Sequence, residues 1–449
     1  MDGFVDPTGL CAVAGHPDAG TLAAAGLAAL RHRGDRGAVA VADGATVRFA
    51  GDPNRTRLDA MPGGVAIAAA SGGDDGPRMV FVRPRGGALA AAVAGRFTNG
   101  ARLRRELLDA GAVFAGPTDA ELLVHLIAAS HHKTFVNRLV EALWRVEGAY
   151  TLLVAVSDRV VAVRDPGGFR PLVLGRLGDA TIVASEDGAV RVIGGEVRRE
   201  VRAGELVVLD ARGAAQSVNP FPARPPSACV QELIAVARDD AAPFGRSVAG
   251  IRRLLGERLG TSLPRPDADV VCAVPGAELA ALGYARATGV PYEAAIAAEP
   301  PTGPVPEPAA SIRDFGARLA WRIVPSLVHG RSVALVASGL GTGRSLRKLV
   351  RLLREAGARA VHLRIAAPPV RASCPYGLVG PLTEELVMSR VGVHAAEVIG
   401  VTSVELLALD ALHDVAGTGD AEVHGLCDAC LSGRRPVEPE RADDQLPLF

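Results

Sequence analysis

The chain has 449 residues, more than one hydrophobic core usually serves, so two domains are expected. Its formal net charge is zero, which excludes a global field favouring nucleic acid or an anionic membrane, and no direct nucleic-acid partner is expected. The start, MDGFVDPTGL, has two acids and no basic segment, so it does not read as a signal peptide. No run of about 18 apolar residues offers a membrane span, and a cytoplasmic location is expected. Six cysteines in a chain this long are not a disulfide scaffold, and cytoplasmic thiols stay reduced.

In chain order, residues 11–212 alternate short Val/Ala/Leu strands with a few helices. Leu103–Ala110 and Ala120–Ala128 read as helices, and Thr118 with Glu121 three residues on fits a capping box. Val146–Val156, Val160–Arg164, Pro171–Leu174 and Ala180–Ala184 read as strands with Gly and Asp between them. His131-His132 adjoins a helix end, where His suits the dipole better than it suggests a metal. Pro220–Pro226 punctuates the chain. Strands Asp269–Val274, Ser332–Val336 and Ala360–Ile365, separated by helices, predict a parallel sheet. Glu299–Pro308 is a Pro-rich loop, and the polar tail after Gly433 is expected to be disordered.

Several stretches, in order, resemble glutamine phosphoribosylpyrophosphate amidotransferases: CAVAGH (11–16), GLAALRHRG (26–34), FTNGARLRREL (97–107), EGAYTLLVAV (147–156), RDPGGFRPLVLGRLGDATIVASED (164–187), REAGARAVHLRIAAPP (354–369) and CPYGL (374–378). The resemblance implies an α+β and α/β chain. An N-terminal Ntn-type αββα glutaminase-like domain, residues 11–225, would follow a propeptide of residues 1–10. A type I phosphoribosyltransferase-like parallel-sheet domain would span 226–415, with a cluster-ligating segment and flexible tail over 416–449. It also implies a homo-oligomer, and an ancestral reaction of glutamine with phosphoribosyl pyrophosphate to give 5-phosphoribosylamine for purine synthesis.

By the same resemblance Cys11 stands where the family has its nucleophile, freed as an N-terminal residue so that its own α-amino group, of reference pKa near 8, acts as base. The alternative is a buried small hydrophobe in the first strand. Asp119 matches the acid that binds the ammonium of glutamine, although it also suits the first turn of a helix. Gly95 is the other glutamine-binding candidate. Two expected partners are missing. The arginine for the glutamine carboxylate falls in GVAIAAA (64–70), and the asparagine of the oxyanion hole is replaced by Ala94, a loss that typically costs roughly 100–1,000-fold in rate.

The second site is rewritten further. In Gly330–Val350 the two adjacent acids that hold the ribose hydroxyls in type I phosphoribosyltransferases are replaced by Ala337 and Ser338. Gly276 and Ala277 stand for Asp and Ser of a second turn, and the closing loop reads AAEPPTGPVP (297–306). What remains is Gly341-Thr342-Gly343-Arg344-Ser345 at a helix start. It reads either as a structural turn or as a cradle in which backbone N–H groups and Arg344 hold a phosphate. Mg²⁺ is implied only if phosphoribosyl pyrophosphate is still bound.

Cys229, Cys374, Cys427 and Cys430 sit where one branch of the family ligates a structural [4Fe–4S] cluster; zinc and free thiols are the alternatives. The terminal Gln445, Leu446, Leu448 and Phe449 resemble the QLxLF peptide with which bacterial proteins dock on the DNA polymerase sliding clamp. The first functional expectation is a divergent paralogue that acts as scaffold, regulator or sensor, with a nucleotide or phosphate ligand. An active glutamine amidotransferase using Cys11 and a clamp-associated replication or repair factor are the alternatives.

Overall fold

The computed structural model describes residues 8–34, 36–44, 46–51, 57, 61–72, 79–83, 87–263, 266–298, 320–378, 380, 382–389, 394–417 and 425–440. The tail residues Gln445–Phe449, most of the propeptide and most of the loop at 297–306 lie outside them.

Alternating apolar strands build the first unit. β1 (Leu10–Ala14), β2 (Arg36–Ala42), β3 (Val47–Ala50) and β4 (Val65–Ser71) join β9 (Val173–Leu177), β10 (Ala180–Ala184) and β11 (Glu196–Glu200) in an antiparallel sheet of order β11-β9-β10-β1-β4-β2-β3. A second antiparallel sheet contains β5 (Met79–Val82), β6 (Leu89–Phe97), β7 (Gly148–Val156), β8 (Arg159–Arg164), β12 (Leu206–Asp210) and β13 (Ala215–Val218), in the order β13-β12-β8-β7-β6-β5.

Each strand puts successive side chains on opposite faces. Leu10, Ala12 and Ala14 of β1 therefore enter the core between the sheets with Ile67, Ala94 and Leu153. Cys11 and Val13 face the other way, towards α1 (Ala19–Ala28) and α5 (Asp187–Val192). The second sheet packs its outer face against α2 (Gly100–Asp109), α3 (Asp119–Ala129) and α4 (Phe135–Trp144). The result is the four-layered αββα arrangement.

The second unit is a parallel sheet of β15 (Val270–Ala273), β18 (Ser332–Ala337), β19 (Ala360–Ile365) and β20 (Ser403–Leu406), in that order. Its helices include α6 (Val248–Ser262), α7 (Glu278–Thr288) and the helix Arg344–Glu355, and β16 (Ile296–Ala298) pairs antiparallel with β17 (Trp321–Ile323). Its near-continuous apolar strands, buried on both faces, are what a parallel sheet requires. A small parallel pair, β14 (Ala228–Cys229) with β21 (Leu426–Cys427), brings the C-terminal segment back to the junction of the two units.

Two local expectations need correction. Thr118 caps α3 by accepting from the Glu121 N–H (3.3 Å), but Glu121 does not close the box. Its carboxylate accepts from Ala115 N (2.5 Å) and Gly116 N (2.8 Å) instead, fixing the loop before the helix. The strand expected at Pro171–Leu174 starts at Val173, because Pro171 has no N–H to give to a ladder.

Candidate functional sites

Cys11 lies inside a continuous strand. It pairs with Ala184 on one side and Ala68 on the other. The residues before it are woven into the same sheet, since Ala70 N donates to Gly9 O (2.7 Å) and Leu10 N to Ser185 Oγ (2.9 Å). Its thiol is fully buried, and burial pushes its pKa up to about 12. Gly26 of α1 lies so close that a Cβ there would come 2.5 Å from the sulfur. Ile67 and Ala94, in the positions of the missing arginine and asparagine, both point into the core between the sheets. Asp119 opens α3 and accepts from Phe97 N at the end of β6 (3.0 Å). Cys11 therefore faces the α1 layer, whereas Ile67 and Ala94 face the core between the two sheets. Gly95 has a φ of +107°, and a Cβ there would sit 2.0 Å from Ala149 O; only glycine fits.

A cavity of about 860 Å³ opens at the carboxyl ends of β15 and β18, where open α/β sheets hold their ligands. Ala337 and Ser338 end β18 on its wall, with Gly276 after β15 and Ser345 on the following helix. The rest of the lining is mostly apolar, from Leu340, Leu346, Leu349, Val370, Trp321 and Ile234. Its charged residues are already engaged: Arg252 pairs with Asp239 (2.6 Å) and Arg238 with Asp240 (2.9 Å). The Gly276 N–H donates to the carboxylate of Glu278 (2.9 Å), whose charge opposes an anion at that turn. Arg344 is exposed and pairs with Glu385 (3.3 Å). Gly343 starts the helix in the left-handed region, φ 71°, and Arg344 N donates to Thr342 Oγ1 (3.2 Å).

The four cysteines converge. In-register pairing of β14 with β21 sets Cys229 beside Cys427. The short helix Ala429–Ser432 carries Cys430, and Cys374 comes from the connection between β19 and β20 of the parallel sheet. All four line one small cavity together with Phe169, Arg170 and Tyr376. Burial raises the thiols of Cys229, Cys427 and Cys430, and the neighbouring cysteines raise them further. Gln231 Nε2 donates to the Cys430 sulfur and Tyr376 N to that of Cys374, each at 3.4 Å. One ion bound by four thiolates at about 2.3 Å would draw the sulfurs within about 4 Å of each other. Among the described residues no group of three or more His, Cys, Asp or Glu side chains is drawn together for a single metal ion. The four thiols, with N–H donors on two of them, thus surround one shared void.

Between the two cavities runs a set of buried charges that the sequence reading missed. Arg33 Nε meets Glu186 Oε1 (2.5 Å), and its Nη2 meets Glu232 Oε2 (2.6 Å). His32 Nε2 lies 2.6 Å from Glu186, and Arg170 Nη1 3.9 Å from Glu232. Glu232 opens a π-helical turn, Glu232–Val236, of the kind often found at functional sites. The available signal was charge inside the apolar runs ALRHRG and VASED, which were read only as resemblance.

The layered antiparallel unit joined to a parallel-sheet unit defines a two-domain glutamine amidotransferase architecture of the phosphoribosyltransferase-linked class. Residues 75–191 match the glutamine amidotransferase domain family. The chain is 40% identical over 397 residues to a chloroplastic amidophosphoribosyltransferase of Vigna aconitifolia, covering 86% of this chain and 81% of that protein. It is 33% identical to the amidophosphoribosyltransferase of Bacillus subtilis, over 84% and 80% of the two chains. The solved glutamine phosphoribosylpyrophosphate amidotransferase of B. subtilis, complexed with ADP and GMP, superposes with a TM-score of 0.90 at 31% identity, covering 97% of this chain and 98% of that one. The chain belongs to the amidophosphoribosyltransferase family, the enzymes of purine biosynthesis. No helix among the described residues is long and apolar enough to cross a membrane.

Proposed function

We propose that this member keeps the family's fold and cysteine cluster but has given up both half-reactions, and that it serves as a ligand-binding scaffold or regulator. The observation that carries the proposal is the cavity at the end of β18. Where a magnesium pyrophosphate and a ribose would need carboxylates and free N–H groups, Ala337, Ser338 and an engaged Gly276 line a mostly apolar wall. Ile67 and Ala94, turned into the core between the sheets where the arginine for the glutamine carboxylate and the oxyanion-hole asparagine are missing, support the same reading.

Cys229, Cys374, Cys427 and Cys430 would hold a [4Fe–4S] cluster. When bound, it supplies iron–thiolate bonds that tie the C-terminal segment, through Cys229 and Cys374, to the second unit. The residues present do the rest: Arg170 and the N–H donors offset thiolate charge, and Phe169 and Tyr376 keep water away.

The deciding experiment is ammonia release from glutamine by anaerobically purified protein, with and without phosphoribosyl pyrophosphate, against Cys11→Ala. No release above that control is expected, and intact mass should retain residues 1–10. Cys11-dependent release would overturn the proposal. The named activity of the relatives favours a second reading, an active amidotransferase, and release stimulated by phosphoribosyl pyrophosphate would establish it. The tail carries a separate proposal: deleting Gln445–Phe449 should abolish sliding-clamp pull-down and leave the fold intact. A homo-oligomer is proposed from family membership, and light scattering tests it.

A further inference from the structure

We propose that the cavity bounded by Arg246, His413, Arg434 and Arg435 binds a small phosphate-bearing anion. The cavity measures about 550 Å³ and is also lined by Leu426 and Asp428. It shares no lining residue with the apolar cavity at the end of β18.

Arg246 carries the argument. It is 6% exposed, and its Nη1 is buried with no hydrogen-bond partner. Burial alone lowers its pKa, and no carboxylate offsets that effect. A buried guanidinium without a counter-charge is unfavourable unless something compensates it. The carboxylate on the cavity wall is committed elsewhere: Asp428 Oδ2 faces His413 Nε2 (3.0 Å), and its Oδ1 accepts from Ser432 Oγ (2.7 Å). Arg434, mostly in solvent, stands 3.9 Å from Asp428, and Arg435, less exposed, reaches Glu438 at 3.3 Å. Three arginines thus line one cavity, with Arg434 only loosely held by Asp428, Arg435 paired with Glu438 and Arg246 with neither, and the oxygens of a phosphate accept such guanidinium donors.

The backbone aims Arg246. Phe244, two residues earlier, is buried with φ 58° and ψ 29°, unusual for a bulky residue. Its N–H is held by the Glu200 carboxylate. The cavity also touches both neighbours of Cys427, so an occupied site braces the segment that carries Cys427 and Cys430.

The test is calorimetric titration of the full chain, purified anaerobically, with inorganic pyrophosphate at low salt. Binding should weaken as NaCl is added and fall by at least about tenfold in Arg246→Met, the loss of a charge-assisted hydrogen bond. Without pyrophosphate, Arg246→Met should melt no lower than the wild type, because an uncompensated charge has gone. Should that variant fail to fold, Arg434→Gln with Arg435→Gln carries the same expectation. Absence of heat up to about 10 mM pyrophosphate overturns the proposal, as does binding that survives both sets of variants. Binding abolished instead by Arg344→Gln would place the anion at the turn after β18 and also overturn it.

Discussion

At the scale of single residues, Cys11 shows how identity and environment part company. The strand LCAVA is apolar at every position, so alternation cannot say which face each side chain takes; both faces of β1 are buried. The sequence therefore marks Cys11 by resemblance but leaves its orientation towards α1 unread. That orientation yields a prediction. Gly26→Ala places a methyl 2.5 Å from the Cys11 sulfur, and overpacking of this kind costs about 1–3 kcal/mol. Adding Cys11→Ala removes the sulfur, so the double variant should regain most of the lost stability in urea unfolding. A double variant no better than Gly26→Ala would mean that the thiol does not pack there.

At the scale of elements, the turn and strand chemistry was legible and the partnerships were not. Thr118 was readable as a cap, and Thr118→Ala should cost about 1 kcal/mol, read as a lower unfolding midpoint. The reach of Glu121 to Ala115 and Gly116 was not readable, because it depends on a loop folding back. The cysteine segment is similar. The spacing of Cys427 and Cys430 was visible, but the parallel pairing that sets Cys229 against Cys427 joins residues about 200 positions apart, and no local pattern encodes it. Its docking depends on two glycines in contact: a Cβ on Gly377, at φ +93°, would meet the Gly95 backbone at 2.5 Å. Under the proposed cluster, Gly377→Ala is therefore expected to displace the Cys374 loop and remove the brown colour and absorbance near 400 nm, as Cys229→Ser should. Full absorbance in Gly377→Ala would show that the loop holds its place without that contact.

At the scale of the whole molecule, the junction between the units is built on charge. Interfaces within a chain are usually polar and allow motion, but Arg33, Glu186 and Glu232 have almost no exposed side-chain surface. Breaking such a set by removing one member strands the others and costs about 3–5 kcal/mol, so Arg33→Met should lower the unfolding midpoint far more than a surface Arg substitution. The same set has a pH signature. Burial pushes the Glu186 carboxyl up, but Arg33 and His32 outweigh it and hold its pKa at about 2, below its ordinary 4.5. A folded value depressed below the unfolded one gives stability that is complete above the unfolded pKa and lost as pH falls towards the folded one. The loss from this group therefore belongs to the window between about pH 4.5 and 2. Glu186→Gln keeps the shape and removes the charge. It should melt lower than the wild type at pH 7, and the gap between the two should narrow as the buffer is taken through that window. A constant gap would mean that the carboxylate's charge contributes nothing to holding the units together.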